Sequence, residues 1–374
     1  MKRYLQDSIQ KDLDRKVVIL SGPRQSGKTT LAKMLSSRFE YLNWDSAADA
    51  QLIRKLKWSR ATDLVILDEL HKMKLWKRFL KGIYDTEGVR PRLLVTGSAR
   101  MDTFRKTGDS LAGRHFLYRC HPLSVAEVHR EFKTEPLEIL ERMLLVGSFP
   151  EPYLESDPTF VGRWRRSHLD RILREDLFDL EKIRTVQQIE HLVLMLSEQA
   201  GQSVSYKSLA SDLSVAPATV KHWIQILESL FIVFTLTPFS KAIKKSLRRE
   251  PRVFFYDTGR VLSDDGFRLE NLVACHLLKW VHYRQDVFGE NRELHYLRDK
   301  TKREVDFVIT QDKQITHLIE VKTSDSSVGL GLKHYSKQFP KAQAIQLVKV
   351  LPRELQIDGV KVLRMADWLA KELI

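Results

Sequence analysis

Apolar runs and helical spacings alternate through the first third of the chain. Val17–Leu20 is a β-branched-rich run, Leu64–Leu67 a second and Arg92–Thr96 a third. Helical patterns lie between them, one of them running from Lys28 to about Arg38. Short buried strands that alternate with helices predict a parallel α/β sheet. From 121 to 185 the spacing is helical and increasingly basic, with Arg163, Arg165 and Arg166 flanking Trp164. Residues 187–230 then read as three short helices. In the third, Ala218 to Leu230, the residues Val220, Trp223, Ile224, Leu227 and Leu230 form one inward stripe. Strands and helices mix again over 253–374. The pattern predicts an α/β domain at 1–120 with a helical extension at 121–186. A winged-helix-like module follows at 187–250, then an α+β domain at 251–374.

Composition fits that division. The 374 residues are 43% hydrophobic and 29% charged, enough apolar material for several cores and too much for a disordered chain. Cys120 and Cys275 are the only cysteines, which excludes a disulfide scaffold and suits a reducing interior. The densest apolar stretch, Leu230 to Phe234, is far short of the roughly 20 residues needed to cross a bilayer. The start, MKRYLQDSIQKDLDRK, has no apolar core of a secretory signal. A cytoplasmic protein without a membrane partner is expected. The formal charge of +14, from 62 Lys+Arg and 48 Asp+Glu, favours a polyanionic partner such as nucleic acid. ATP is itself a polyanion, so charge alone does not choose.

The sharpest chemistry lies at residues 22–29. Gly22-Pro23-Arg24-Gln25-Ser26-Gly27-Lys28-Thr29, followed by Thr30, is a complete phosphate-loop pattern between a strand and a helix. The glycines let backbone amides turn toward one point, and the helix N-terminus adds its dipole there. Lys28 is expected to reach the β- and γ-phosphates of ATP, and Thr29 to bind Mg²⁺. The second apolar run ends in Asp68-Glu69, at the carboxyl edge of the sheet where ligands bind. Asp68 is expected to hold Mg²⁺, and Glu69 to orient or deprotonate the attacking water. The third run ends in Thr96-Gly97-Ser98. Thr96 and Ser98 are both candidates to sense the γ-phosphate, with Ser98 favoured.

GPRQSGKTTL, LVILDELHK and LLVTGSAR resemble the AAA-type module of a large prokaryotic ATPase family that ends in a domain of unknown function. DSLAGRHFLYRCHPLSVAE, GSFPEPYL, FFYDTGR and ENLVACHLLK follow in the expected order, so the resemblance spans nearly the whole chain. Ser148 departs from the usual second Gly before the aromatic-Pro-Glu. The resemblance implies that Arg114, with Arg100 as a rival, contacts the γ-phosphate, in cis or from a neighbour in a homo-oligomer.

Two further readings concern the rest of the chain. Two short helices, a tight turn at Ser214–Pro217 and a longer amphipathic helix match the helix-turn-helix layout. FIVFTLTPF would then be the wing, and Thr219, Lys221 and His222 would face a groove. The same layout also serves packing or protein contact. The run from Lys241 to Arg249, with five cations, suits phosphates or a solvated linker. Farther on, Glu304-Val-Asp306 and Glu320-Val-Lys322 lie on two strands of an expected hairpin, where alternate residues share a face. Asp306 with Glu320-x-Lys322 resembles the restriction-endonuclease-like core, in which carboxylates bind a metal ion and the Lys serves the attacking water. The resemblance adds Glu270, on the preceding helix, to that second metal site. Ordinary cross-strand pairing explains the same residues.

The expected activity is ATP hydrolysis with Mg²⁺, coupled to binding of nucleic acid, DNA before RNA, or of another partner by the C-terminal half. The alternatives are an ATP-regulated nuclease and a nucleotide switch in a protein assembly.

Overall fold

The computed structural model describes residues 1–98, 111–155, 157–176, 186–240, 250–299, 301–325 and 327–373. The chain forms two compact units. The first is Met1–Pro122 with 174–182 and 229–231. The second is 123–173 and 183–228 with Ile232–Ile374.

Among its described residues the first unit is built on a five-stranded sheet of order β2-β3-β4-β1-β5. The strands are β1 (Val17–Ser21), β2 (Phe39–Asn43), β3 (Leu64–Asp68), β4 (Arg92–Gly97) and β5 (His115–Arg119). All neighbours run parallel. β1 and β3 are buried throughout, which is why they read as unbroken apolar runs. Val17, Ile19, Val65, Leu67, Val95, Leu80 and Trp76 meet in one core on this sheet. The helix after the phosphate loop is Lys28–Lys33, shorter than the spacing suggested. Ser36 ends it locally, its hydroxyl accepting from the Arg38 amide and turning the chain toward β2.

The second unit holds a mixed six-stranded sheet of order β12-β13-β11-β10-β9-β8. Its strands are β8 (Arg292–Arg298), β9 (Glu304–Gln311), β10 (Gln314–Lys322), β11 (Gln343–Val348), β12 (Leu355–Ile357) and β13 (Val360–Arg364). The hairpin expected at 303–323 is present. Asp312 and Lys313 both have positive φ, 50° and 64°, the geometry of a tight two-residue turn. The helix Asp265–Phe288 packs on this sheet.

The same unit contains the helices Val186–Glu198, Tyr206–Asp212 and Pro217–Ser229. In the last, Val220, Trp223, Ile224 and Leu227 are buried, as the stripe required, while Lys221, His222 and Gln225 are exposed. β6 (Val233–Leu236) then pairs antiparallel with β7 (Arg252–Phe255). That ladder crosses the boundary expected at 250, because β6 has no other described strand partner on which to spend its backbone groups. The basic run 241–249, Arg100 and Lys300 lie outside the described residues. Trp164 is buried, stacked on His168 at 4.6 Å. Arg163 and Arg166 beside it are exposed, whereas Arg165 turns inward to Asp257 at 3.4 Å.

Candidate nucleotide site and a second acidic site

Strand β1 delivers the phosphate loop at its carboxyl end. Gly22 has φ 150° and Gly27 has φ 93°, and a Cβ at Gly22 would collide with the Cys120 carbonyl. Only glycine tolerates that approach. Gln25 is also held at positive φ, 62°. Lys28 is buried, and its Nζ donates to the carbonyls of Gly22 at 3.0 Å and Pro23 at 2.7 Å. The ammonium is thus folded back over the loop it follows. Ser26 is buried, Arg24 and Thr29 are half-buried and Thr30 is exposed.

Strand β3 brings Asp68 to the same edge, where hydroxyls surround it. Thr29 Oγ1 donates to Asp68 Oδ2 at 2.9 Å, and Tyr41 Oη donates to the same oxygen at 2.6 Å. Thr96 Oγ1 and the Glu69 amide donate to Oδ1. Burial, and then the hydrogen bond to Asp68, hold the Tyr41 phenol above its ordinary range. Glu69 follows at φ 55°, a left-handed conformation that is costly for a non-glycine residue and recurs at functional sites. Ser98 Oγ donates to Glu69 Oε2 at 3.2 Å, and His71 Nδ1 stands 3.6 Å from that oxygen. Burial, reinforced by the Lys72 and Lys28 charges, pushes the His71 pKa down to about 4. The imidazole beside Glu69 is therefore neutral at physiological pH. Of the two candidates at the end of β4, Thr96 engages Asp68 and Ser98 engages Glu69.

Arg114 is not at this edge. β5 runs parallel to β1, with Val17 opposite His115 and Ser21 opposite Arg119. Arg114 immediately precedes β5, and its carbonyl accepts from the Val17 amide. The phosphate loop begins after Ser21, four residues further along β1, or about 13 Å at ~3.3 Å per residue. Arg114 instead donates to Asp85 at 2.6 Å. Of the two routes expected for Arg114, in cis or from a neighbour, this placement at the amino ends of the strands speaks against the first.

Sequence reading passed over Tyr41, His71 and Arg3. Tyr41 lies on β2, a strand without an apolar run to announce it. The Arg3 guanidinium is buried and bridges the Ser26 carbonyl, at 2.7 Å, and the His121 carbonyl, at 2.6 Å.

The acidic site of the second unit is built differently. β9 and β10 pair with Ile319 opposite Phe307, which sets Glu320 and Asp306 side by side. Asp306 Oδ2 accepts from the Val321 amide at 2.9 Å, and Lys322 Nζ pairs with Glu320 Oε1 at 2.8 Å. Burial, then the Asp306 charge, pushes the Glu270 pKa up to about 8. Burial also raises Asp306 and Glu320 above the usual carboxylate range. Burial lowers Lys322, but the hydrogen bond and charge of Glu320 outweigh it and leave the ammonium above its ordinary value. Arg252 pairs with Glu304, and its guanidinium lies over the Tyr296 ring at 4.8 Å. The ligand cluster expected of Glu270, Asp306 and Glu320 is not assembled. Among the described residues no three His, Cys, Asp or Glu side chains are grouped to hold a metal ion. The carboxylates are engaged locally, Asp306 with an amide and Glu320 with Lys322.

Comparison with known proteins agrees with the first unit's architecture. Residues 14–129 match a family model described as an AAA domain. Residues 137–264 and 265–368 match two further models, each described as a domain of unknown function. An uncharacterized protein of Mycobacterium tuberculosis and one of Mycobacterium bovis are each 29% identical, over 68% of this chain and 58% of theirs. The chain thus spans little more than half the length of these relatives. An uncharacterized protein of Methanocaldococcus jannaschii is 24% identical over 96% of this chain and 86% of its own. Among solved structures, a signal transduction ATPase with numerous domains and a tetratricopeptide repeat sensor, from Pyrococcus horikoshii, is similar at TM-score 0.27. It is 13% identical and covers 77% of this chain and 48% of its own. Drosophila ORC bound to DNA is similar at TM-score 0.24, with 14% identity over 67% of this chain and 89% of its own. The parallel α/β sheet and the match of residues 14–129 to an AAA domain together support an AAA-type, ATP-binding module. That module is joined to a C-terminal domain of unknown function with a mixed sheet. Among the described residues no helix is long and apolar enough to cross a membrane.

Proposed function

We propose that the chain hydrolyses ATP in its first unit and couples that cycle to nucleic acid bound by its second. The observation that carries the ATPase reading is the convergence of Thr29, Tyr41 and Thr96 on Asp68, with Glu69 beside it under Ser98. Backbone amides of residues 22–29 and the Lys28 ammonium would bind the triphosphate. Thr29 and Asp68 fit Mg²⁺, a hydroxyl and a carboxylate already 2.9 Å apart; bound there, the ion neutralises charge on the phosphates. Glu69 would accept the proton of the attacking water, and Ser98 would hold its carboxylate in place. Arg114, remote from its own chain's loop, would serve a neighbouring copy or none.

What supports nucleic acid as the partner is the order of elements in the second unit. Three helices lead into the β6–β7 ladder, and Lys221, His222 and Gln225 are exposed on the third helix. We read that order as a winged-helix layout whose third helix would turn these polar groups to a groove. Phosphate release measured with and without DNA and RNA tests the coupling. Stimulation by DNA supports it, and a rate indifferent to both polymers overturns it in favour of a switch that serves a protein assembly.

A second reading, an ATP-regulated nuclease of the restriction-endonuclease-like class, is favoured by one observation. Glu270, Asp306, Glu320 and Lys322 feel one another's charges. Incubation of DNA and RNA with Mg²⁺ or Mn²⁺, with and without ATP, tests it. Cleavage that Asp306→Ala abolishes supports the reading. No cleavage, or equal cleavage by the variant, rejects it.

A further inference from the structure

The segment before the first helix reaches across the first unit to the phosphate loop. Arg3, 6% exposed, donates through Nη1 to the Ser26 carbonyl and through Nη2 to the His121 carbonyl. Tyr4 clips the same stretch: its hydroxyl donates to the Arg119 carbonyl at 2.5 Å and accepts from the His121 amide at 3.1 Å. The clip joins the loop after β1 to the chain that leaves β5. The Cys120 amide, which donates to the Ser21 carbonyl at 2.8 Å, closes the same junction.

A planar trans peptide turns its C=O and N–H in opposite directions. The Ser26 carbonyl shares its peptide plane with the Gly27 amide. Drawing that carbonyl onto a buried guanidinium therefore fixes the direction of the Gly27 N–H away from Arg3. A cation on the carbonyl oxygen also polarises the peptide, which makes its N–H a stronger donor. The Ser26 amide faces inward on its own loop, donating to the Pro23 carbonyl at 3.2 Å. Gly27 has φ 93°, so without an outside tether this peptide would have the widest freedom in the loop.

We infer that Arg3 is a positioning residue for the nucleotide phosphates, acting through the Ser26–Gly27 peptide of the loop. The inference rests on the ATP-binding reading. It adds that the loop is set by a cation 23 residues before Ser26, outside the phosphate-loop pattern. Because the loop and not the base is what Arg3 touches, the effect falls on phosphate recognition. Affinities for ATP and for inorganic tripolyphosphate should fall together.

Direct binding of ATP and of tripolyphosphate to the full chain tests this, with Arg3→Ala, Arg3→Lys, Tyr4→Phe and Lys28→Ala compared with the parent. Arg3→Ala should weaken both ligands roughly tenfold or more, the size of one charge-assisted hydrogen bond. Arg3→Lys keeps the buried stem and charge but not the two-pronged donor, and should lie between Arg3→Ala and the parent. It also carries the test should Arg3→Ala not fold. Tyr4→Phe, which loosens the clip without touching the loop, should bind both ligands as the parent does. Arg3 variants that bind both ligands within twofold of the parent, or an equal loss in Tyr4→Phe, overturn the inference. A parent that does not bind ATP, or a Lys28→Ala variant that binds it undiminished, overturns the ATP-binding reading itself.

Discussion

The two acidic centres of this chain solve the burial of carboxylates in opposite ways. In the first unit Asp68 is surrounded by donors, three hydroxyls and a backbone amide, and Glu69 has a hydroxyl of its own. Donors of that kind favour the charged form of a carboxylate. In the second unit Glu320 is buried and Glu270 and Asp306 are half-buried, all with few donors, and desolvation drives all three toward the protonated form. Glu320 Oε2 is buried with no hydrogen-bond partner among the described residues. Lys322 and Arg252 offset the charge from nearby but do not replace the missing donors. The first centre is organised around hydrogen-bond donors. The second is a reservoir of protons beside two cations.

The largest expected effect tests the first half of that contrast. Lys28→Ala should remove ATP binding, a loss of roughly a hundredfold or more, since it deletes the buried charge expected to meet the phosphates. Glu69→Gln should bind ATP as the parent does, yet turn over about a hundredfold or more slowly, because its amide cannot take a proton. Binding and phosphate release, measured separately on both variants, check the pair. Parent-like phosphate release in both would mean that the first centre is not the site of hydrolysis.

The contrast also explains what was legible in the sequence. Strands β1, β3 and β4 lie inside the sheet and read as apolar runs, so the phosphate loop and Asp68-Glu69 could be placed at their carboxyl ends. β2 and β5 are edge strands, and only Leu42 and Tyr118 are buried in them. Neither has a continuous apolar run, so Tyr41 on β2 stayed hidden, and so did the register that removes Arg114 from the loop. Arg3 acts through tertiary closure over 23 residues, for which no local spacing rule exists, and His71 meets Glu69 two residues away beside the left-handed turn at Glu69. In the second unit the alternation on β9 and β10 made the hairpin legible, and its register sets Asp306 beside Glu320. Their low supply of donors depends on packing and could not be read from the pattern.

A smaller effect tests the second half. An unfolded Glu carboxyl ionises near 4.5, and Glu270 in the folded chain near about 8. Between those values the folded state keeps a proton that the unfolded state has released. Stability therefore falls as pH rises through this window. Glu270→Gln removes the titration, so its Tm advantage over the parent should be near zero at pH 4.5 and largest at pH 8. The scale is about 2–4 °C for each kcal/mol in a unit of this size. His71 in the first unit works in the opposite sense. It titrates near 4 when folded and near 6.5 when unfolded, so its contribution is present above pH 6.5 and is lost as pH falls toward 4. His276 and His317, also near 4, add the same acid sensitivity to the second unit. A Glu270→Gln advantage that does not change between pH 4.5 and pH 8 would mean that the second centre is not a proton reservoir.

The smallest effect asks whether the second unit meets an anion at all. The anion site proposed for the first unit would use the backbone amides of residues 22–29 and one buried Lys. Any nucleic-acid site on the helix Pro217–Ser229 would instead use exposed side chains in water, with the buried stripe of Val220, Trp223, Ile224 and Leu227 holding the helix in place. Such contacts gain most of their energy from released counterions, so they weaken steeply with salt. Lys221→Ala should lower DNA affinity a few-fold and evenly across sequences. It should also reduce the slope of log affinity against log salt by about 1, the loss of a single phosphate contact. A loss confined to one sequence would instead place Lys221 against a base edge. An unchanged affinity and slope would leave the helix's polar face to a protein partner, and the contrast between the two units would then be one of nucleotide against protein.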